Sequence, residues 1–294
     1  MKIVFIIINY NGLDYLKSYL DDISNHCNKN GIKLLVADDN STDQSIELLK
    51  SFNVEYTINR SENHGFAANV NNGIKYANNI DFYDYYIISN NDIRIHDCFF
   101  SNLNKILFHI KNINNDIGLI GFDEVLIEQK QYFYDFNYEL FNFNLINEVT
   151  VIPGFFFIIT RPLIDTIGFM DEEYFMYGED NDYFIRALNA NYKIINTNLP
   201  ILHFSEGSSS NKKLTSWYVY RNSLLYAQKN LGILMVIKII LSLINQIYNP
   251  FFRIKTPSNN RVIRNGFFIN NYLLFKSIIW NINYYIKKIK KNGK

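Results

Sequence analysis

The sequence predicts an α/β fold: a mostly parallel, doubly wound central sheet flanked by helices, then a helical C-terminal extension. Three observations predict it. Strand-length apolar runs recur along the first two-thirds of the chain, and stretches with apolar residues at helical spacing follow them. Asn9, Asp38 and Asp92 all fall at the carboxyl ends of such runs, where open parallel sheets bind their ligands.

The elements follow in order. Lys2–Ile8 is a continuous apolar run, and Tyr15, Leu16, Tyr19, Leu20 and Ile23 then repeat at helical spacing. Lys33–Ala37 is a second strand, closing on Asp38-Asp39-Asn40-Ser41. Ser41 with Gln44 reads as a capping box that opens a helix through Ile46, Leu48 and Leu49. Val54–Ile58 is a short strand. Phe66, Ala67, Val70, Ile74 and Ala77 share one helical face, and Tyr85–Ser89 is the next strand. Beyond Ile117 the apolar runs shorten; a helix starts near Arg161-Pro162 and stops at Gly168.

Composition bounds the function. With 294 residues and 48% hydrophobic content, the chain can bury a sizeable core. A net charge of +1 gives no electrostatic reason to expect a nucleic-acid partner. Cys27 and Cys98 have no paired spacing, which suits a reducing compartment rather than a disulfide framework or structural zinc. The opening apolar run is too short for a signal peptide, and Asn9-Tyr10-Asn11-Gly12 follows it. Asparagine is abundant throughout, so any one Asn-containing motif is discounted.

Several groups can carry chemistry. Asp92, in Asn90-Asn91-Asp92, can hold a divalent cation that neutralises a diphosphate, and His203 is the natural second ligand. The imidazole favours manganese over magnesium. The following Ser205–Ser210 loop reads as a flap over the diphosphate. Asp38 is expected to accept hydrogen bonds from a base or ribose, with Ser41 capping. Gly65, in Arg60–Phe66, lets backbone approach a ligand at a helix N-terminus. The carboxylates Asp171, Glu172, Glu173, Glu179, Asp180 and Asp182 are crowded together, so Asp180 reads as a base whose pKa is raised by like-charge neighbours. The plainer reading has Asp180 capping a helix that begins near Asp182.

These segments, in this order over roughly residues 1–210, resemble family-2 glycosyltransferases of the bacterial rhamnosyltransferase-like group. The matching pieces are Ile7–Gly12, Asp38–Asp43, Asn63–Asn69, Ser89–Asp92, Pro153–Phe156, Gly168–Asp171, Tyr177–Asp180 and His203. The resemblance implies a GT-A fold and an inverting transfer from a UDP- or dTDP-linked sugar to a glycan or lipid-linked hydroxyl, in capsule, O-antigen or wall-polymer synthesis. It implies Asn9, Tyr10, Asp38, Asn63, Gly65, Asn69, Asn90 and Asn91 around the nucleotide sugar. Asp92 and His203 would hold Mn2+ or Mg2+, and Asp180 would be the base, supported by Glu179. Asn90 stands where the wider family often has a further aspartate. The alternatives are a catalytically silent nucleotide-sugar-binding subunit and a protein-directed transferase.

The expected domains are 1–210, with nucleotide-sugar binding in 1–116 and acceptor binding and catalysis in 117–210, and a helical extension over 211–294. Trp217–Asn222 resembles a segment that follows the catalytic domain in this group. Leu231–Tyr248 carries Lys238 near its middle, which suits an interfacial helix better than a spanning one. With the basic aromatic tail, the favoured expectation is a cytoplasmic protein at the inner face of the plasma membrane. A helix packed on the catalytic domain and a homodimer contact are the competing readings.

Overall fold

The structure, a computed structural model, describes residues 1–52, 54–58, 62–113, 116–137, 146–204, 212–248, 255–256, 259–262 and 267–292. Two compact units arise, Met1–Phe175 with Tyr183–Gly207, and Met176–Asp182 with Ser208–Lys294.

The first unit begins with β1 (Ile3–Asn9), α1 (Leu13–Lys29), β2 (Lys33–Asp38), α2 (Ser45–Ser51), β3 (Glu55–Ile58), α3 (Phe66–Ile80) and β4 (Tyr85–Asn90). It continues with β5 (Ile93–Arg94), α4 (Phe99–Ile113), β6 (Ile117–Leu126), α5 (Lys130–Asp135), β7 (Asn147–Val149), β8 (Phe156–Thr160) and α6 (Arg161–Ile167). The helix α7 (Glu179–Asn189), from Tyr183 onward, and β9 (Lys193–His203) close it. Among the described residues nine strands form one sheet in the order β3-β2-β1-β4-β8-β6-β9-β5, with β7 also paired to β9.

Alternation along β1 builds the layers. Ile3, Phe5 and Ile7 pack with Leu16, Tyr19, Leu20 and Ile23 of α1 on one face. Val4, Ile6 and Ile8 pack with Val70 and Ile74 of α3 on the other. Burying a side chain such as Leu16 completely contributes about 1.5–3 kcal/mol. A strand apolar at every position therefore sits in the middle of three layers.

The sheet is parallel across β3, β2, β1 and β4, as the helix-strand alternation predicts, and β6 pairs in parallel with β9. The strand β8 runs antiparallel to both β4 and β6. Its sequence, FFIIT, is as apolar and as buried as its parallel neighbours, so hydropathy reveals the strand but not its direction.

Arg161-Pro162 opens α6 and Gly168, at φ 74°, ends it, as the sequence predicts. The capping box fails. The helix α2 starts at Ser45, after Gln44, because the Ser41 hydroxyl and amide are both spent on Asp38.

The second unit contains α8 (Lys212–Asn230), α9 (Ile233–Tyr248), the short strands β10 (Lys255–Thr256) and β11 (Asn259–Val262), and α10 (Phe267–Asn292). Tyr220, Leu243, Leu273 and Leu274 join α8, α9 and α10 in one apolar cluster. The segment Met176–Asp182, expected with the first domain, groups with this unit instead. Among the described residues no helix is long and apolar enough to cross a membrane.

Candidate functional site

The parallel register brings the carboxyl ends of β1, β2 and β4 together: Asn9 lies opposite Asp38, and Ile8 opposite Asn90. Asn9 is buried and bridges the group. Its amide nitrogen donates to Asp38 Oδ2 at 2.6 Å and to Ser41 Oγ at 3.2 Å, while its Oδ1 accepts from Asn91 at 2.6 Å. Asp38 also accepts from the Ser41 amide (2.8 Å) and hydroxyl (2.7 Å), and is 0% exposed. Inside the protein its Oδ1 accepts one hydrogen bond and its Oδ2 two. Asp38 shapes the turn that presents Asn11 and Thr42, whose amides are tied across it.

Asn69 is likewise framework. It is buried and donates to the carbonyls of Ala37 (2.8 Å) and Asn9 (3.2 Å), locking α3 to the strand ends. The neighbouring acid Asp39, passed over in the sequence, accepts the amides of His64 (3.0 Å) and Gly65 (2.8 Å) through Oδ2. Asn63 caps the same turn through Gly65 N at 2.9 Å. Gly65 has φ 91°, and a Cβ there would stand 2.0 Å from the Phe175 carbonyl, so only glycine fits. Tyr10 is exposed, and Asn63, Asn90 and Asn91 are partly exposed.

His203 ends β9, with Ile93 of β5 opposite it on one side and Leu126 of β6 on the other. That register sets its Nε2 3.4 Å from Asp92 Oδ1 and its Nδ1 2.6 Å from Glu124 Oε1. The Phe155 ring stacks on the imidazole, centroids 4.4 Å apart at 8°. Burial alone would lower the imidazole pKa. Hydrogen bonds to Asp92 and Glu124 outweigh that cost and push it up to about 9.

Among the described residues no cluster of three or more His, Cys, Asp or Glu side chains could hold a metal. The chain offers a pair, and the pair fits. A carboxylate oxygen and an imidazole nitrogen 3.4 Å apart can take adjacent positions on one Mn2+ or Mg2+, leaving the others for phosphate oxygens and water. Glu124 on Nδ1 is the usual partner that fixes a ligating imidazole. No sequence signal marks Glu124: it sits mid-strand, and only the β6–β9 pairing places it there.

In the second unit, Tyr177 (φ 67°) and Gly178 (φ 99°) bend the chain sharply before Glu179 and Asp180. The helix α7 begins at Glu179, not near Asp182, so Asp180 lies within its first turn and is not its cap. Asn222 of α8 holds the bend, donating to the carbonyls of Met176 (2.8 Å) and Tyr177 (2.7 Å). Asn230 donates to Asp182 at 3.0 Å. Burial raises the pKa of Glu179 well above the carboxylate range, with Asp180 adding to it. Asp180 is raised as well, first by burial, against the lowering effect of nearby backbone amides. Burial rather than a crowd of acids is the main cause. Glu172 is bound to Asn71 and Lys75, and Asp171 accepts the Glu173 amide.

The loop Ser205–Ser210 and the residues Arg60-Ser61 lie outside the described residues.

With this geometry in hand, comparisons with known proteins are decisive. The model of glycosyl transferase family 2 matches residues 4–168, more than half of the chain. The chain belongs to glycosyl transferase family 2. A search of curated proteins gives no match. Solved structures share the GT-A fold. The mannosyltransferase PcManGT from Pyrobaculum calidifontis, in complex with GDP-Man and Mn2+, is similar at TM-score 0.55 and 12% identity, over 96% of this chain and 87% of that one. TarS 1-349 from S. aureus with UDP-GlcNAc is similar at TM-score 0.54 and 16% identity, over 83% and 72%. Glucosyl-3-phosphoglycerate synthase from Mycobacterium tuberculosis, with Mn2+, UDP and glucosyl-3-phosphoglycerate, is similar at TM-score 0.50 and 13% identity, over 74% and 77%. As a family-2 member the chain is a glycosyltransferase. The matched span covers the strand-end network and Asp92 but stops before Glu179, Asp180 and His203.

Proposed function

We propose that this glycosyltransferase, of the rhamnosyltransferase-like group, moves a sugar from a nucleoside diphosphate to a hydroxyl of a glycan or lipid-linked acceptor with inversion. The observation that carries the reading is the Glu179-Asp180 pair on its strained turn, Glu179 buried and Asp180 half-buried, because a base of raised proton affinity is what the reaction needs. The acceptor oxygen forms its bond to the anomeric carbon as the bond from that carbon to the diphosphate breaks, and Asp180 takes the hydroxyl proton. Glu179, the more deeply buried, keeps its own proton and leaves Asp180 ionised.

Asp92 and His203 would hold the divalent metal, which when bound supplies positive charge for the departing diphosphate. Glu124 and Phe155 keep the imidazole where Nε2 faces Asp92. Tyr10, Asn63, Asn90 and Asn91 would line the nucleotide, positioned by Asn9, Asp38 and Asn69 behind them. The GDP-Man, UDP and UDP-GlcNAc complexes of the similar structures support a nucleotide-sugar donor. Capsule, O-antigen or wall polymer is the proposed product class, and a lipid-linked acceptor would bring the reaction to the inner membrane surface.

The test is release of nucleoside diphosphate from a panel of nucleotide sugars, with Mn2+ and an extracted lipid-linked glycan acceptor. Acceptor-dependent release that a chelator abolishes, and that Asp92→Asn loses, is expected. Release that ignores both the chelator and Asp92→Asn would remove the metal from this account.

A further inference from the structure

Helices α9 and α10 each carry two apolar faces. Val236 and Leu243 of α9 and Leu273 and Leu274 of α10 are buried in clusters shared with α8. A second stripe on each helix points away from that core. On α9 it runs Leu234, Ile237, Leu241, Ile244 and Tyr248, with Leu234 74% and Leu241 60% exposed. On α10 it runs Phe268, Tyr272, Phe275, Ile279, Ile282 and Ile286, with Phe268 86% exposed. Steps of three and four keep each stripe on one side, and the α10 stripe extends roughly 27 Å at the helical rise. Soluble proteins rarely leave so continuous an apolar surface uncovered.

Charge says what covers it. No Asp or Glu follows Glu206, yet 15 of the chain's 29 Lys and Arg do, so all 28 acidic residues lie in the first 206 positions. Lys238 flanks the α9 stripe, and the exposed Lys276, Lys287, Lys288 and Lys290 accompany the α10 stripe.

We propose that the second unit docks on an anionic phospholipid bilayer, with the exposed stripes of α9 and α10 at the headgroup–acyl boundary and their lysines at the lipid phosphates. Neither helix is built to cross the bilayer. The same spacing could seat a helix of a second copy. However, Lys238, Lys276 and Lys290 would then meet the same helices of a second copy, which carry no acid to pair with, whereas a phosphate surface pairs with all of them. The inference rests on these helices and stands apart from the transfer reaction.

The experiment is co-sedimentation of the full chain with vesicles of phosphatidylcholine alone and of phosphatidylcholine mixed with phosphatidylglycerol, alongside light scattering of the eluted protein. Binding to the anionic vesicles is expected to be at least about tenfold stronger than to the neutral ones. A Leu241→Ser, Phe275→Ser, Ile279→Ser variant, altered only at exposed positions, is expected to melt like wild type and lose binding about tenfold or more. Lys287→Gln, Lys288→Gln, Lys290→Gln is expected to lose much of the anionic preference. Wild type left in the supernatant, or a serine variant that binds like wild type, would overturn the proposal. So would a wild-type dimer that the serine variant converts to monomer, because that assigns the face to a second copy.

Discussion

Two regions of this chain bury carboxylates, and they manage the charge in opposite ways. In the first unit Asp92 and Glu124 bracket His203, and in the metal-free protein their hydrogen bonds push the imidazole pKa up to about 9. In the second unit Glu179 and Asp180 lie side by side with no cation partner among the described residues, Asp180 accepting the backbone and side-chain amides of Asn181, and burial raises both pKa values because the ionised forms are disfavoured. The first arrangement suits holding charge for a ligand. The second suits taking a proton.

The largest separation of the two regions is expected in the pH dependence of turnover. Asp180 must be ionised to accept a proton, so activity should fall about tenfold per pH unit on the acid side of its raised pKa. An acid limb at the ordinary carboxylate pH would remove burial as the source of its basicity. Stability tests the other region. The folded pKa of His203 exceeds the unfolded value, so its contribution is full below about pH 6.5 and is lost as pH rises through about 9. Chelator-treated protein should therefore lose roughly 3 kcal/mol from this group over that range, read as a falling Tm.

Smaller effects sharpen the contrast. Glu124→Ala should weaken Mn2+ binding, measured by calorimetry, by about 10–100-fold while donor-free folding survives. Unchanged affinity would make Glu124 a bystander. Asn222→Ala removes the donor to two carbonyls of the bend and should cost about 1–2 kcal/mol of stability. It should also lower kcat more than it raises KM for the donor.

Much of this architecture was legible in the sequence because it rests on periodicity. The continuous apolar run of β1, the face of α3 and the Gly168 stop of α6 are all local signals, and all were read correctly. What escaped depends on partners distant in sequence. Direction is invisible in an all-apolar strand, so the antiparallel run of β8 cannot be read from its residues. Ser41 carried a capping signature, but Asp38 claims its hydroxyl and amide. The hydrogen bonds that Asp38 and Asn69 make to Asn9, Ser41 and Ala37 depend on strand register. Glu124 meets His203 across 79 positions and only through strand register. Asn222 lies in a segment singled out by resemblance alone, and its job appears only when its two carbonyl partners are seen.

The most direct test of the account is a matched pair of isosteric changes, Asp180→Asn and Glu179→Gln, compared for acceptor-dependent nucleoside diphosphate release. Glu179 is already neutral in this account, so Glu179→Gln should keep turnover within a few-fold of wild type. Asp180→Asn should lose about 10²–10⁴-fold while melting at or above the wild-type temperature, since it removes a poorly solvated charge. If Glu179→Gln is the inactive variant, or if both keep wild-type turnover, the division of labour between the two acids is wrong.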